Sequence, residues 1–299
     1  SLDDVAVITF TNKAAAELRH RIRSRLEELL ANSSEPTIRK RLDLSLTKLD
    51  DAAISTLHRF ARRLLTEHSI EAKFPPNFEV LDEISSQVEF IERFEKFLDS
   101  LLLDPEWSRT LLISDALGIN PAKDLLPLAN ELHKNWDLLK PTKHADPAAV
   151  DFEDLIAKGH ALALQENTFI GSADSDSMTK SLEAIRQFVH ELETDFDEIQ
   201  QIDTLAKTKL PSGNTKGRKT NWTDIESLRS QFESYTAEVA FFRASLTDLI
   251  LRRLTACLTD FILDGVLEQR KLGRLDYHDL LVSARQILNS PTQGHLIRS

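Results

Sequence analysis

The first 70 residues alternate short apolar runs with segments in which apolar residues recur at helical spacing. Val5-Ala6-Val7-Ile8 is an uninterrupted apolar run, typical of a buried strand in a parallel sheet. The helix that follows has one apolar face, formed by Leu18, Ile22, Leu26 and Leu29. After this first strand and helix the pattern predicts a helix at 39–49, a strand at 53–56 and a helix at 57–68. The two strands are expected to be parallel neighbours.

The rest of the chain has a helical pattern. Consecutive prolines in Lys73-Phe74-Pro75-Pro76-Asn77 mark a boundary, because they stop a helix. Further helices are predicted at 85–103, 121–137, 149–165, 178–206, 224 to about 271, and 277–288. Gly273 would end the long one, which is either continuous or broken. The fold class is therefore mainly α with a small parallel sheet.

The junction between the first strand and the first helix is the leading candidate site. Phe10 would stand at the carboxyl edge of the sheet, where an exposed ring can stack on a nucleic-acid base. Thr11 and Asn12 would lie at the helix N-terminus, whose free N–H groups suit a cap or a phosphate. The alternative is a buried Phe10 and an ordinary Asn12 cap.

Charge is unevenly distributed along a chain of 299 residues with net charge −11 and 41% apolar residues. Residues 10–48 carry nine Lys or Arg against five acids, whereas residues 79–106 carry nine acids against two bases. The acidic stretch is predicted to be a solvated helix face or a face turned towards other subunits or domains. Residues 204–222 carry five bases and no acid. This loop is predicted to be mobile, and either simply solvated or in contact with a duplex through Lys216, Arg218, Lys219 and Trp222.

Other classes of function find no support in the residues. No apolar run reaches membrane-spanning length and no signal pattern begins the chain, so a cytoplasmic address without membrane contact is expected. Cys257 is predicted to be a packed thiol. The nine histidines show no metal-binding or catalytic spacing, so neither a metal site nor a catalytic residue is predicted.

Two stretches, residues 8–22 with the sequence ITFTNKAAAELRHRI and residues 53–65, match known enzyme motifs. They resemble motif Ia and motif Ib, T-F-H-S-F followed by a helix, of the UvrD/Rep group of superfamily 1 DNA helicases. Leu57 stands where the family tends to have Phe, and Arg59 where it tends to have Ser. Residues 275–281 resemble the D-F-x-D-L segment before Walker B. The run at 78–83 and the long interval after it resemble the AddA and RecB branch.

This resemblance implies a partial P-loop-type α/β helicase core of two parallel strands with a large inserted helical, 1B-like domain. The expected division is 1–72 and 274–299 for the 1A core and 73–273 for the insert. The resemblance also implies that Phe10 stacks on a base of single-stranded DNA. The expected backbone contacts are Thr9, Thr11, Asn12, His58, Arg59 and Arg62.

Two stretches of the chain resemble the nucleotide-binding motifs of the family but do not match them. Gly213–Thr220 lacks the spacing of a G-x-x-x-x-G-K-[S/T] loop and follows no apolar strand. Val80-Leu81-Asp82-Glu83 imitates Walker B, but Asp82 and Glu83 suit the leading turn of the next helix. The chain is therefore expected to be an internal fragment that binds no cofactor and hydrolyses no ATP alone, while ATP and Mg²⁺ bind elsewhere in the parent enzyme.

The predicted function is that of part of an ATP-dependent DNA helicase, and the resemblance suggests a helicase-nuclease subunit in DNA repair and recombination. Single-stranded DNA, duplex DNA and a second helicase-nuclease subunit are the expected partners. The alternative is a non-enzymatic helical module that binds DNA or, through its acidic face, another protein.

Overall fold

The computed structural model describes residues 6–75, 77–142, 148–171, 176–195, 197–213, 215–291 and 294. Its helices and strands, in chain order, are β1 Ala6–Thr9, α1 Asn12–Asn32, α2 Pro36–Lys48, β2 Ala53–Thr56, α3 Leu57–Glu67, β3 Glu79–Val80, α4 Glu83–Leu103, α5 Pro105–Ala116, α6 Pro121–His133, α7 Glu153–Ala163, α8 Ser177–Thr194, α9 Glu198–Lys207, α10 Ile225–Leu272, β4 Arg274–Leu275 and α11 Tyr277–Leu288. Short 3-10 helices lie at Trp136–Leu138, Leu164–Thr168 and Lys219–Asn221. The mainly helical fold is confirmed.

The chain forms two compact units. Unit 1 comprises Ser1–Phe90 and Asp264–Ser299, and unit 2 comprises Ile91–Leu263. Two continuous helices, α4 and α10, pass from one unit to the other.

Unit 1 is built around the parallel pair β1 and β2. The register sets Val7 opposite Ile54 and Thr9 opposite Thr56, so the predicted parallel neighbours are confirmed. One core cluster joins this sheet to α1 through Leu49, Ala52, Ile54, Val7, Leu18 and Ile22. A second cluster packs α3 against α11, with Leu65, Leu275 and Leu280 almost fully buried. These two clusters fix the positions at which α1 and α3 leave the sheet.

A second small parallel sheet in unit 1 was not predicted. Glu79 pairs with Arg274 and Val80 with Leu275. Each strand has only two residues, and the charged residue in each strand hides the apolar pattern. Just after β3, the Asp82 Oδ1 accepts a hydrogen bond from the Ser85 N–H at 2.8 Å. Asp82 thus caps α4, which begins at Glu83, whereas the prediction placed Asp82 and Glu83 in the leading turn of a helix from Ser85.

Unit 2 differs from the prediction in two helices. The pattern missed α5, although Asp104 caps it and Pro105 occupies its first turn, both standard start signals. The predicted helix at 178–206 is two helices, because α8 ends at Thr194 and α9 begins at Glu198. The long helix α10 is continuous over 48 residues, and Gly273 follows it with a positive φ of 72°. The predicted end of this helix at Gly273 is therefore confirmed.

The core of unit 2 contains buried side chains of α8, α10 and neighbouring helices. Ile185 and Phe188 on α8 are fully buried, and α7 packs on α8 close to Gly159. A Cβ at Gly159 would lie 2.3 Å from Val189 Cγ2, so only glycine allows this approach. Cys257 is buried, and this burial raises the pKa of its thiol to about 12. The prediction of a packed thiol is confirmed.

Candidate nucleic-acid interface

The candidate site lies where β1 and β2 end in unit 1. Thr9 and Thr56 are the last residues of the two strands and stand opposite each other, so both strands leave the sheet at one edge. Phe10 follows Thr9 directly, and its side chain is fully exposed at 102% of its reference area. The alternative of a buried Phe10 is therefore wrong. Helices α1 and α3 begin at this same edge.

Hydroxyl side chains cap both helices at this edge. The Thr11 Oγ1 accepts a hydrogen bond from the Ala14 N–H at 3.1 Å, and the Thr56 Oγ1 accepts one from the Arg59 N–H at 3.4 Å. The Thr9 hydroxyl donates to the Thr11 carbonyl at 3.1 Å. Thr11, not Asn12, is therefore the N-cap of α1, which corrects the alternative of an Asn12 cap. Asn12 is the first helical residue and its side chain is exposed.

An open groove of about 770 Å³ runs along α3. It is lined by Asn12, Thr56, His58, Arg59, Arg62, Arg63, Thr66, Glu67, Val80, Tyr277 and Leu280. The structure thus brings together four of the predicted contacts, namely Asn12, His58, Arg59 and Arg62. Thr9, Phe10 and Thr11 do not line the groove, but they lie at the strand end beside Asn12.

The three arginines of the groove differ in their partners. Arg63 donates from Nε to Glu67 at 2.8 Å and from Nη1 to the Asp51 carbonyl at 3.0 Å. The hydrogen bond with Glu67, with the attraction of its charge, raises the pKa of Arg63 above its usual value. Arg59 and Arg62 form no ion pair with any residue that the structure describes. Two exposed guanidinium groups are therefore available to a ligand in the groove.

Sequence reasoning missed Tyr277 as a groove residue. Its ring lies edge-on to His58, with ring centroids 5.1 Å apart and an interplanar angle of 73°. The side chain is 49% exposed. A reciprocal capping box between Asp276 and Asp279 fixes the start of α11 at this position. The signal was present, because the D-F-x-D-L resemblance already placed an aromatic residue here.

The predicted duplex contacts lie in unit 2, in a stretch that we call the basic segment, Lys216–Trp222. The Arg218 and Lys219 side chains are exposed, and Lys219 Nζ lies 3.2 Å from the Glu226 carboxylate. Lys216 is half-buried. Trp222 is only 2% exposed and its ring lies edge-on to Phe169. A buried indole cannot contact a duplex, so the prediction is wrong for Trp222.

The basic segment is also held more firmly than a mobile loop would be. Asp176 accepts hydrogen bonds from the Arg218 N–H at 3.1 Å and the Asn221 side-chain amide at 3.0 Å. The Ile170 N–H donates to the Asn221 carbonyl at 2.8 Å. The prediction of a mobile loop overlooked these partners because Asp176 and Ile170 lie far away in sequence.

The structure offers neither a metal site nor a membrane span in the part of the chain that it describes. No group of three or more His, Cys, Asp or Glu side chains could hold a metal ion there. Among the same residues, no helix is long and apolar enough to cross a bilayer. The described part of Gly213–Thr220 lies between α9 and α10 with no strand before it, unlike a phosphate-binding P-loop.

In class, this is a mainly helical protein with short parallel strands and a cationic groove at the carboxyl ends of two of them, where α/β proteins usually bind ligands. The family model of the UvrD/REP helicase N-terminal domain matches residues 1–296. The chain belongs to this family.

Several curated relatives of the chain are named as ATP-dependent helicase/nuclease subunits. An ATP-dependent helicase/nuclease subunit of Listeria welshimeri is 34% identical over 99 residues, which are 33% of this chain and 8% of the relative. The corresponding protein of Desulforamulus reducens is 35% identical over 98 residues, with the same coverage of 33% and 8%. That of Latilactobacillus sakei is 30% identical over 108 residues, which are 36% of this chain and 11% of the relative. The matched segments thus span a small part of these relatives.

Proposed function

We propose that this chain is part of an ATP-dependent DNA helicase and supplies a section of its track for single-stranded DNA. The observation that carries the proposal is the fully exposed Phe10 at the shared end of two parallel strands, beside a groove with two arginines that form no ion pair among the described residues. Membership of the UvrD/REP family and relatives named as ATP-dependent helicase/nuclease subunits support it.

Phe10 binds a base by stacking in this proposal. The Phe10 ring loses little conformational entropy on binding, because β1 and the Thr11 cap already fix its backbone. Stacking of one base on an aromatic side chain is worth about 1–3 kcal/mol and depends little on base identity. Strand binding without sequence preference follows.

The groove binds the phosphodiester backbone. Arg59 and Arg62 neutralise phosphates, while the Asn12 side chain and the His58 ring hydrogen-bond to the strand. Thr9 and Thr11 act mainly by holding Phe10 and the start of α1 in place, since their hydroxyls are engaged with the backbone. Tyr277 adds an aromatic wall beside His58.

Unit 2 is the proposed inserted, 1B-like domain, and unit 1 the proposed partial 1A core. In this proposal the insert corresponds to Ile91–Leu263, a shorter range than the expected 73–273. Unit 2 would contact duplex DNA through Lys216, Arg218 and Lys219. Non-specific duplex binding needs cations that reach phosphates, and the exposed Arg218 and Lys219 side chains meet that requirement.

ATP and Mg²⁺ bind outside the groove in this proposal. Its lining contains one carboxylate, Glu67, which is engaged by Arg63, so it does not fit the oxygen ligands of Mg²⁺. The described residues contribute strand binding, and nucleotide binding belongs to other parts of the longer enzyme. A second helicase-nuclease subunit is the proposed protein partner, in line with the name of the relatives.

The test is titration of a fluorescent single-stranded oligonucleotide with the full chain, followed by anisotropy at several salt concentrations. Wild-type protein should bind with an affinity that falls as salt rises. Phe10→Ala should weaken binding, whereas Phe241→Ala, which removes another exposed ring (75%) in unit 2, should not. Equal effects of the two substitutions, or salt-insensitive binding, would favour the protein-interaction alternative.

A further inference from the structure

One buried carboxylate in unit 2, that of Asp176, accepts hydrogen bonds from its own helix and from the basic segment. Asp176 is 4% exposed and is the N-cap of α8. Its Oδ1 accepts from the Met178 N–H at 2.8 Å, while its Oδ2 accepts from the Arg218 N–H at 3.1 Å and the Asn221 amide at 3.0 Å. Asp176 thus joins the start of α8 to the middle of the basic segment.

The ionised form of Asp176 suits this position. Burial alone would raise the pKa of the carboxyl group, but the hydrogen bonds from Met178, Arg218 and Asn221 outweigh it and hold the pKa below its usual value. The N–H groups around the carboxylate resemble a backbone anion site that is already filled by a side chain of the protein itself.

The opposite side of the segment is held by α10. Arg229 donates from Nε to the Lys216 carbonyl at 2.8 Å and from Nη2 to the Gly217 carbonyl at 2.9 Å. The Gly217 N–H donates to the Ser177 Oγ at 2.9 Å. Backbone donors therefore face Asp176 and Ser177, and backbone acceptors face Arg229.

Gly217 allows this close fit. Its φ is +78°, and a Cβ there would lie 2.6 Å from Ile225 Cδ1 and 3.0 Å from Met178 Cβ. Only glycine adopts this conformation without strain in so little space. The segment is consequently fixed by conformation and packing as well as by hydrogen bonds.

We infer that Asp176 is a positioning residue that orders the basic segment, so that Arg218 and Lys219 face solvent in a fixed arrangement before any DNA is bound. The inference rests on the proposed duplex contact of unit 2. A segment that is ordered in the free protein loses less conformational entropy on binding than a flexible loop. Asp176 acts on duplex affinity through Arg218 and never touches DNA itself.

The experiment compares Asp176→Asn with the double variant Arg218→Ala/Lys219→Ala in the full chain, using a blunt duplex at several salt concentrations. Asp176→Asn replaces one accepting carboxylate oxygen by an NH2 group, which only donates, so either Met178 or the pair Arg218 and Asn221 loses its acceptor. Duplex affinity should fall about 5- to 10-fold while the salt dependence keeps its slope, because the same phosphates are neutralised once the segment orders. The double variant should flatten the slope by about 0.9 for each lost phosphate contact.

Amide hydrogen exchange shows whether the substitution loosens the basic segment alone or the whole of unit 2. The amides of Gly217 and Arg218 should exchange faster in Asp176→Asn, whereas those of the α10 core should not. Ser177→Ala removes one acceptor at an exposed position, and Arg229→Lys removes the two-point contact with the carbonyls. Both should give smaller losses in duplex affinity, and they carry the test if Asp176→Asn does not fold.

The two hypotheses fail in different ways. If the double variant binds duplex like wild type, the proposed duplex contact is wrong. If the double variant weakens binding but Asp176→Asn, Ser177→Ala and Arg229→Lys leave affinity and exchange unchanged, the positioning role of Asp176 is overturned. Single-stranded binding through Phe10 should be the same in all of these variants, and circular dichroism of each variant controls for loss of folded protein in unit 2.

Discussion

Phe10 and Trp222 are two aromatic residues that sequence reasoning assigned to DNA contact, but they differ in their exposure to solvent. Phe10 is 102% exposed and Trp222 is 2% exposed. Both follow or lie among polar residues, so their immediate neighbours do not distinguish them. The difference arises from what reaches each ring from elsewhere in the chain.

Phe10 stands at a strand end where the neighbouring side chains form hydrogen bonds with the backbone and not with the ring. Trp222 instead pairs with Phe169 in an isolated antiparallel bridge, and Asp176 holds the adjacent Asn221. The Trp222 ring is therefore packed in the interior, while the side chains of Arg218 and Lys219 are exposed to solvent. An aromatic residue in a basic segment is thus evidence of nucleic-acid contact only when no partner covers it.

The largest expected effect is on folding. Trp222→Ala should lower the free energy of unfolding by about 3–5 kcal/mol, because it leaves a cavity beside Phe169. Phe10→Ala should change it by less than about 0.5 kcal/mol, as is usual for an exposed side chain. Urea unfolding followed by circular dichroism measures both. Similar losses in the two variants would remove the contrast between the rings.

The next effect is on strand binding. Phe10→Ala should reduce affinity for a single-stranded oligonucleotide by roughly 5- to 150-fold, the equivalent of about 1–3 kcal/mol of stacking. Phe10→Tyr retains a ring and serves as the matched control, with affinity close to wild type. Anisotropy titration at one fixed salt concentration is sufficient. A loss in Phe10→Tyr as large as in Phe10→Ala would argue against stacking.

A smaller effect separates the arginines of the groove. Arg62→Ala should flatten the salt dependence of single-stranded binding by about 0.7, the value for one phosphate contact. Arg63→Ala should change this slope less, because its guanidinium already binds Glu67 and the Asp51 carbonyl. Anisotropy at several salt concentrations gives the slopes. If Arg63→Ala had the larger effect, the assignment of available cations in the groove would be wrong.

The smallest effect concerns acid stability in unit 2. Because the folded pKa of Asp176 is lowered, its ionised form stabilises the protein above the unfolded pKa of about 3.9, and this stability is lost as pH falls through the folded pKa. Wild type should therefore lose stability relative to Asp176→Asn below about pH 4. Urea unfolding of both proteins from neutral pH down into this acidic range measures the difference. If the difference in unfolding free energy between the two proteins did not change with pH, the pKa of Asp176 would not be lowered by folding.

The sequence predicted those features that depend on local pattern. The parallel pairing of β1 with β2, the end of α10 at Gly273 and the burial of Cys257 all follow from apolar spacing or glycine geometry. The same holds for the position of Asp82 at the start of α4. Family membership, now established over residues 1–296, rested on contiguous stretches of sequence.

The features that escaped prediction depend on residues far apart in the chain. The pairing of β3 with β4 joins Val80 to Leu275, and each strand is too short for a periodic signal. Tyr277 joins the groove only because α11 packs against α3. The division between α8 and α9 was missed because the stretch near Asp195 contains neither proline nor glycine.

The central claim is that Phe10 stacks on a base of single-stranded DNA, and a Phe10→Trp variant tests it most directly. An indole at this position should show fluorescence quenching when oligodeoxythymidylate is added, over and above the small change expected from the three native tryptophans. The additional quenching should saturate at the same oligonucleotide concentration as the anisotropy signal. Binding without additional quenching, or no binding at low salt, would contradict the account.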